Sequence, residues 1–204
     1  MTEPINLHEL RRRSTHEALR RVALAQFASN GFGNVTVTQL ATEAGVTERT
    51  FFRHFPSKEA LFEGLVTATC ESMREGLENA PTADMDKPIA NRLADELRAF
   101  TSALIEPDGL ALYRLIVADG WRFPELARVF DRSGMRVIRR RIAELLETGG
   151  APDDQSRQVA AEVVALALGD AYQRALLGIA EDGDGEVFAR QIDVAVKYGL
   201  GRAV

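Results

Sequence analysis

The stretch from Thr36 to Lys58 constrains the fold more than any other part of the chain. Gly45 and Pro56 punctuate it so closely that only two short helices fit between them. Thr36, with Gln39 three residues on, has the spacing of a capping box, in which the hydroxyl and the amide side chain satisfy each other's backbone N–H groups. Leu40, Ala41 and Ala44 then give one apolar face, and Gly45 ends the segment. Thr47 begins a second helix that runs to about His54, where Pro56 biases Phe55 away from helical geometry. Ser57 caps a further helix from Lys58. Two short helices joined by a tight Gly45-Val46 turn are the sequence form of a helix-turn-helix. Phe27, Leu40, Ala41, Val46, Phe51 and Phe55 have the types and spacing of a small three-helix core, and Ala41 and Gly45 are small enough for close helix crossing.

The flanks extend this reading. Ser14 and Glu17 form another capping-box pair, followed by Leu19, Val22, Ala23 and Phe27 on one helical face, with Gly31 as the stop. Residues 1–13, with Arg11, Arg12 and Arg13, are expected to be a disordered basic arm, of the kind that enters a minor groove. A long helix is expected from Lys58 to about Leu77, then a loop over 79–88. Helical periodicity resumes over about 89–105, 110–118, 124–147, 154–178 and 186–199. The intervening breaks are Pro107-Asp108-Gly109, 120–124, 149–152 and 182–185. No strand-like alternation of useful length occurs. The expected fold is all-α, with a three-helix head at 14–57 and a larger helical domain at 58–204.

Composition narrows the chemistry. A chain of 204 residues buries a sizeable core without staples, and its single cysteine, Cys70, has no partner for an internal disulfide. No apolar run approaches the roughly 18 residues of a membrane span, and Met1 to Arg13 lacks a signal-peptide core. A cytoplasmic protein without membrane contact is expected. The net charge is -5, but residues 1–60 hold eight Lys/Arg against six Asp/Glu, so the basic end is the one suited to phosphate. The pairs His8-Glu9 and His16-Glu17 have Arg12 and Arg20 where a zinc-binding helix needs its second histidine. Gly31-Phe32-Gly33 lacks the third glycine of a dinucleotide fingerprint. No Ser/His/Asp arrangement is readable. No catalytic residue, metal or cofactor is expected, and the chain reads as a non-enzyme.

From Leu19 to Leu61 the sequence resembles the TetR family of bacterial regulators. The matching residues are Phe27, Gly31-Phe32, Val35-Thr36-Val37, Leu40-Ala41, Ala44-Gly45-Val46-Thr47, Thr50-Phe51-Phe52-Arg53-His54-Phe55 and Ser57-Lys58-Glu59-Ala60-Leu61. The resemblance implies a double-stranded DNA operator as partner, with phosphate contacts at Thr36, Thr47, Phe52, His54 and Lys58. The exposed first turn of the second short helix carries Glu48, Arg49 and Thr50, which suit cytosine, guanine and a thymine methyl or a phosphate respectively. Arg53 and His54 lie further along, toward the backbone. One departure stands out: Phe52 occupies a position where the family often has tyrosine, so a hydroxyl bond to phosphate is lost there.

The same resemblance implies a C-terminal domain that binds a small-molecule effector and forms a homodimer through its last two helices. Segment 154–178 is apolar around most of its circumference, and Phe188, Ile192, Ala195 and Val196 form one stripe near the end of the chain. Leu112 to Ile116 and Trp121 to Ala127 look like the C-terminal half of one TetR subgroup. Expected pocket residues are Met73, Phe100, Leu104, Tyr113, Trp121, Phe130, Met135 and Tyr172, with Arg114 or Asp119 for a polar ligand group. Cys70 reads as a buried structural thiol rather than a redox sensor. The expectation is a ligand-responsive, homodimeric repressor on a near-palindromic operator. Two alternatives stay open: a DNA-binding regulator without small-molecule input, and a small-molecule binding protein that has lost DNA affinity.

Overall fold

The computed structural model describes residues 7–78, 86–181 and 184–202, without side chains for 7–8 and 73–78. All regular structure among the described residues is helical. The elements are α1 (Leu7–Asn30), α2 (Val37–Glu43), α3 (Glu48–His54), α4 (Lys58–Glu78), α5 (Ile89–Ile105), α6 (Pro107–Asp119), α7 (Pro124–Phe130), α8 (Arg136–Thr148), α9 (Asp153–Leu177) and α10 (Asp184–Arg202). A π-helical turn, Asp131–Met135, joins α7 to α8.

Two compact units are formed. The first combines Met1–Ala68 with Ala111–Val129, and the second combines Thr69–Leu110 with Phe130–Val204. The head is therefore not the continuous 14–57 segment expected from sequence. In the first unit, Phe27, Phe32 and Phe62 are buried and meet at centroid distances of 5.1 to 6.3 Å. Phe123, from the second stretch, closes this cluster edge-on at 5.0 Å from Phe32. Asp119, at the end of α6, accepts the Phe32 N–H. It is largely buried and committed to that amide, so it is not the ligand contact that its charge suggested. The pull of an apolar ring cluster, together with a buried carboxylate that needs donors, brings 111–129 back to the head.

The N-terminal boundary also differs. α1 begins at Leu7, so Leu7 to Arg13 are helical rather than a disordered arm; residues 1–6 lie outside the described residues. Glu9 accepts from Arg12 and Arg13 at i+3 and i+4, pairs that reinforce the extra turns. Those two guanidiniums hold the Glu9 carboxyl below its ordinary range. Ser14 thus sits inside the helix, and its spacing to Glu17 caps nothing.

The second unit is built chiefly from α5, α8, α9 and α10. Leu93, Leu97, Ile142, Leu146, Val159, Ala160, Val163, Ala167, Ile192 and Ala195 are buried there. Into this apolar setting the fold places an ion pair. Glu96 of α5 is 3% exposed, and Arg141 of α8 donates to both its oxygens, Nη2 at 3.0 Å from Oε2. Three local features depart from the sequence pattern. Pro107 opens α6 instead of breaking the chain, since proline at a first helical position has no N–H to lose. Segment 124–147 is interrupted by the π turn. Beside this turn, Cys70 is half-buried, and the desolvation pushes its thiol up to about 11.

The third departure is a kink within α9. Gly169 adopts φ 44, ψ -149, a backbone state closed to side-chain-bearing residues. A Cβ there would collide with Gln191 Nε2 of α10. Gly169→Ala is expected to cost about 1–3 kcal/mol from backbone strain, read as a lower urea midpoint. An unchanged midpoint would mean that α9 straightens at no cost.

Candidate nucleic-acid interface

Three short local rules build the site. Thr36 caps α2 with the full box: its Oγ1 accepts from the Gln39 N–H at 3.2 Å, and Gln39 Oε1 accepts the Thr36 N–H at 2.8 Å. After α2 the chain turns through Gly45 at φ 69, with Val46 N–H donating to Ala41 O at 2.9 Å. Thr47 then caps α3, its Oγ1 accepting from the Thr50 N–H at 3.2 Å and donating to Thr50 Oγ1 at 3.1 Å. Phe55 leaves the helix in extended geometry at φ -136, ψ 120, as the following Pro56 requires. Leu40, Ala41, Phe51 and Phe55 are buried beneath this pair.

The outward face carries most of the sequence-predicted residues. Thr36, Thr47, Glu48, Arg49, Phe52 and Arg53 are exposed, whereas Thr50 and His54 are half-buried. Arg49 stands on the first turn of α3, where a recognition helix meets base edges. Glu48, expected to accept from cytosine, accepts instead from Thr38 Oγ1 of α2, a bond that fixes the two helices to each other. Phe52 is 50% exposed with its ring edge-on to Phe51 at 5.4 Å. An exposed phenyl suits a thymine methyl better than a phosphate.

Lys58 is placed differently from its expected role. Its Nζ donates to Phe32 O at 2.7 Å and Val35 O at 2.8 Å, and it sits 4.4 Å from the Phe32 ring centroid. Burial lowers its pKa from the ordinary lysine value. The ammonium therefore bolts the loop before Thr36 to the start of α4, which fixes where α2 begins. Lys58→Met keeps the volume but orphans two carbonyls, at a cost of about 1–3 kcal/mol. Thermal unfolding measures it, and a stability equal to wild type would reduce Lys58 to a surface charge.

Thr15 and His16 join the site although the sequence did not place them there, and Arg11 and Arg12, expected in a disordered arm, join it from a helix. Arg11, Arg12, Thr15 and His16 of α1 line an open groove of about 560 Å³ with Arg53 and His54 of α3. Arg11/Thr15 and Arg12/His16 are both i,i+4 pairs, a signal hidden by the expectation that 1–13 has no structure. The His16 and His54 rings lie 6.0 Å apart, and His16 stacks near Phe55 at 4.3 Å. Both imidazoles are held below the ordinary histidine pKa, first by burial, then by the charges of Arg20 on His16 and of Arg53 on His54.

The expected effector residues fall in both units. Phe100, Leu104, Phe130 and Tyr172 are buried in the second unit, and Met135 is half-buried on the π turn. Tyr113 is half-buried and belongs to the first unit, as does Trp121, which is 77% exposed with its indole N–H on Ala118 O at 2.9 Å. The Met73 side chain lies outside the described residues. Among the described residues, no cluster of three His, Cys, Asp or Glu is placed to hold a metal, and no helix is long and apolar enough to cross a membrane.

Comparison with known proteins decides what carries this geometry. Residues 19–65 match the bacterial regulatory proteins of the tetR family, and residues 91–202 match the C-terminal domain of AefR-like transcriptional repressors. The chain belongs to the TetR family. It is accordingly a DNA-binding transcriptional regulator and not an enzyme. A TetR-family relative of known structure, the flavonoid-responsive regulator FrrA, is 29% identical, with a TM-score of 0.76 over 92% of this chain and 95% of that one. A TetR-family regulator from Mesorhizobium loti shares the fold at 23% identity and a TM-score of 0.76, over 94% and 97% of the two chains. The nucleoid occlusion factor SlmA of Haemophilus influenzae is 29% identical over 70% of this chain and 66% of its own length. The regulator TcmR of Streptomyces glaucescens is 37% identical over 38% and 34%. The chain thus spans just under two thirds of the SlmA sequence and about a third of TcmR.

Proposed function

We propose that the protein is a cytoplasmic, homodimeric repressor whose DNA affinity falls when a small molecule binds its C-terminal unit. The observation that carries the reading is the capped α2–α3 pair, which presents Arg49 at the exposed start of α3. Two such heads fit a near-palindromic operator when their spacing matches about 34–36 Å or a multiple of it. Exposed apolar residues on the last two helices, Leu166 and Leu177 of α9 and Val194 of α10, supply the dimer face, continuing through Ile179 beyond α9. Likeness to FrrA along nearly the whole chain supports an effector, and makes a flavonoid the first to try.

The test is selection of genome fragments by the purified protein, followed by salt titration of the best fragment. One enriched palindromic site with a steep salt slope is the expected result. Arg49→Ala on that site should lose about 1–3 kcal/mol and relax one base preference. Operator binding untouched by this substitution would remove Arg49 from base reading. A second reading is DNA binding without small-molecule control, and likeness to SlmA, which is named for nucleoid occlusion and not for an effector, keeps it open. Release of the operator by flavonoids supports the first reading; indifference to them, with intact DNA binding, supports the second.

A further inference from the structure

The groove between α1 and α3 joins residues of α1 to the end of the helix-turn-helix, which contributes Arg53 and His54. Arg53 Nη2 is 3.5 Å from Thr50 Oγ1, and Thr50 is bonded to the cap Thr47, so one chain of contacts runs from the reading end of α3 to the groove. Among the described residues its lining consists of three arginines, two histidines and Thr15, with no carboxylate. Glu9 and Glu17 of α1 line a neighbouring recess that shares Arg12 and His16 with the groove, and Glu9 is engaged there by Arg12 and Arg13. α3 has seven residues and so is roughly 10 Å long at 1.5 Å per residue. A group at its far end therefore stands about three nucleotides along a strand that advances 3.4 Å per nucleotide.

We propose that this groove is a phosphodiester site that extends the DNA footprint beyond the helix-turn-helix, and that filling it draws protons onto His16 and His54. The proposal rests on the DNA-binding reading and names a further contact within it. Arg11, Arg12 and Arg53 supply the permanent charge, and Thr15 a neutral donor. The charged groups around the two imidazoles are Glu9, Arg11, Arg12, Arg13, Glu17 and Arg20 of α1 and Arg53 of α3, so the free groove carries a net positive charge and disfavours a further proton. A phosphate among these groups reverses that balance. Affinity is then highest below the free-protein histidine value, which lies under about 6.5, and declines as pH rises through the higher bound-state value. A free phosphate ion offers the same oxygens, and the test separates the two sources.

The experiment uses the full chain and its selected operator duplex, with affinity measured against pH from about 5.5 to 8.5 and against salt. Wild-type affinity should fall with pH by up to about tenfold per unit for each proton taken up. His16→Gln with His54→Gln should flatten that profile. Arg11→Gln with Arg12→Gln, both at exposed positions, should reduce the salt slope by about 0.9 for one lost phosphate contact and leave the base preference unchanged. NMR titration of the two imidazoles should show them gaining protons with the duplex and not with millimolar inorganic phosphate. Wild-type binding with pH and salt profiles unchanged in both variants overturns the groove site alone. Imidazoles that respond to inorganic phosphate but not to the duplex overturn it in favour of a small-anion site. A wild-type protein that binds no duplex overturns the DNA-binding reading and this site together.

Discussion

Glu96→Ala is expected to lower the stability of the second unit by about 1.5–3 kcal/mol, because it removes the buried half of an ion pair and withdraws the carboxylate that both Arg141 bonds reach. The magnitude follows from burial rather than from the pairing itself. Arg140 and Glu144 on the same helix also form an ion pair, at 3.9 Å, but with side chains 71% and 64% exposed. Exposed pairs of that kind contribute about 0–1 kcal/mol, so Glu144→Ala serves as the control. Guanidinium denaturation of both variants decides the matter. Equal small losses would show that water reaches the Glu96 site. Replacing Glu96 and Arg141 together by apolar residues of similar volume should recover much of the loss, since neither charge is then stranded.

Phe32→Ala should cost about 3–5 kcal/mol, the range for a fully buried aromatic. Phe32 is 1% exposed, touches the rings of Phe27, Phe62 and Phe123, and offers its own backbone to Asp119 and Lys58. Its removal slackens the loop that carries Thr36, so operator affinity should fall along with melting temperature. Phe52→Ala, on the exposed face of α3, should leave melting nearly unchanged and act only on DNA. Calorimetry and operator titration of the two variants separate packing from recognition. A Phe32→Ala protein that melts like wild type would show that the ring cluster can repack around the cavity.

The helix-turn-helix was legible in the sequence because each of its devices is local. A threonine and its partner three residues later, a glycine at the turn and a proline after an extended residue are written within a few positions of one another, and Thr36, Gly45, Thr47 and Phe55 behave as read. The same locality misled at Ser14 and Glu17, where a capping-box spacing lies inside a helix sustained by Glu9 and the arginines after it. Pro107 opens a helix where it was read as a break, since proline stops a helix only from within. Segment 154–178 is apolar around most of its circumference, so the Gly169 kink leaves no periodic signal there, and the π turn at Asp131–Met135 adds only five residues between two helical segments. The Asp119–Phe32 bond spans 87 positions, and the His16–His54 approach joins two helices. No local pattern encodes either contact.

The discontinuous make-up of the first unit bears on how such regulators can be recombined. Asp119 and Phe123 finish the core of the head, yet they arrive after α4 and α5 have been traversed. A fragment ending at residue 57 would leave Phe27 and Phe32 without the rings of Phe62 and Phe123, and would fold poorly however well its helices are capped. Swapping DNA specificity between relatives is therefore not a matter of exchanging N-terminal halves. A working graft must carry 111–129 along with the reading helix, or else confine itself to the outward residues of α3 and leave the scaffold beneath untouched.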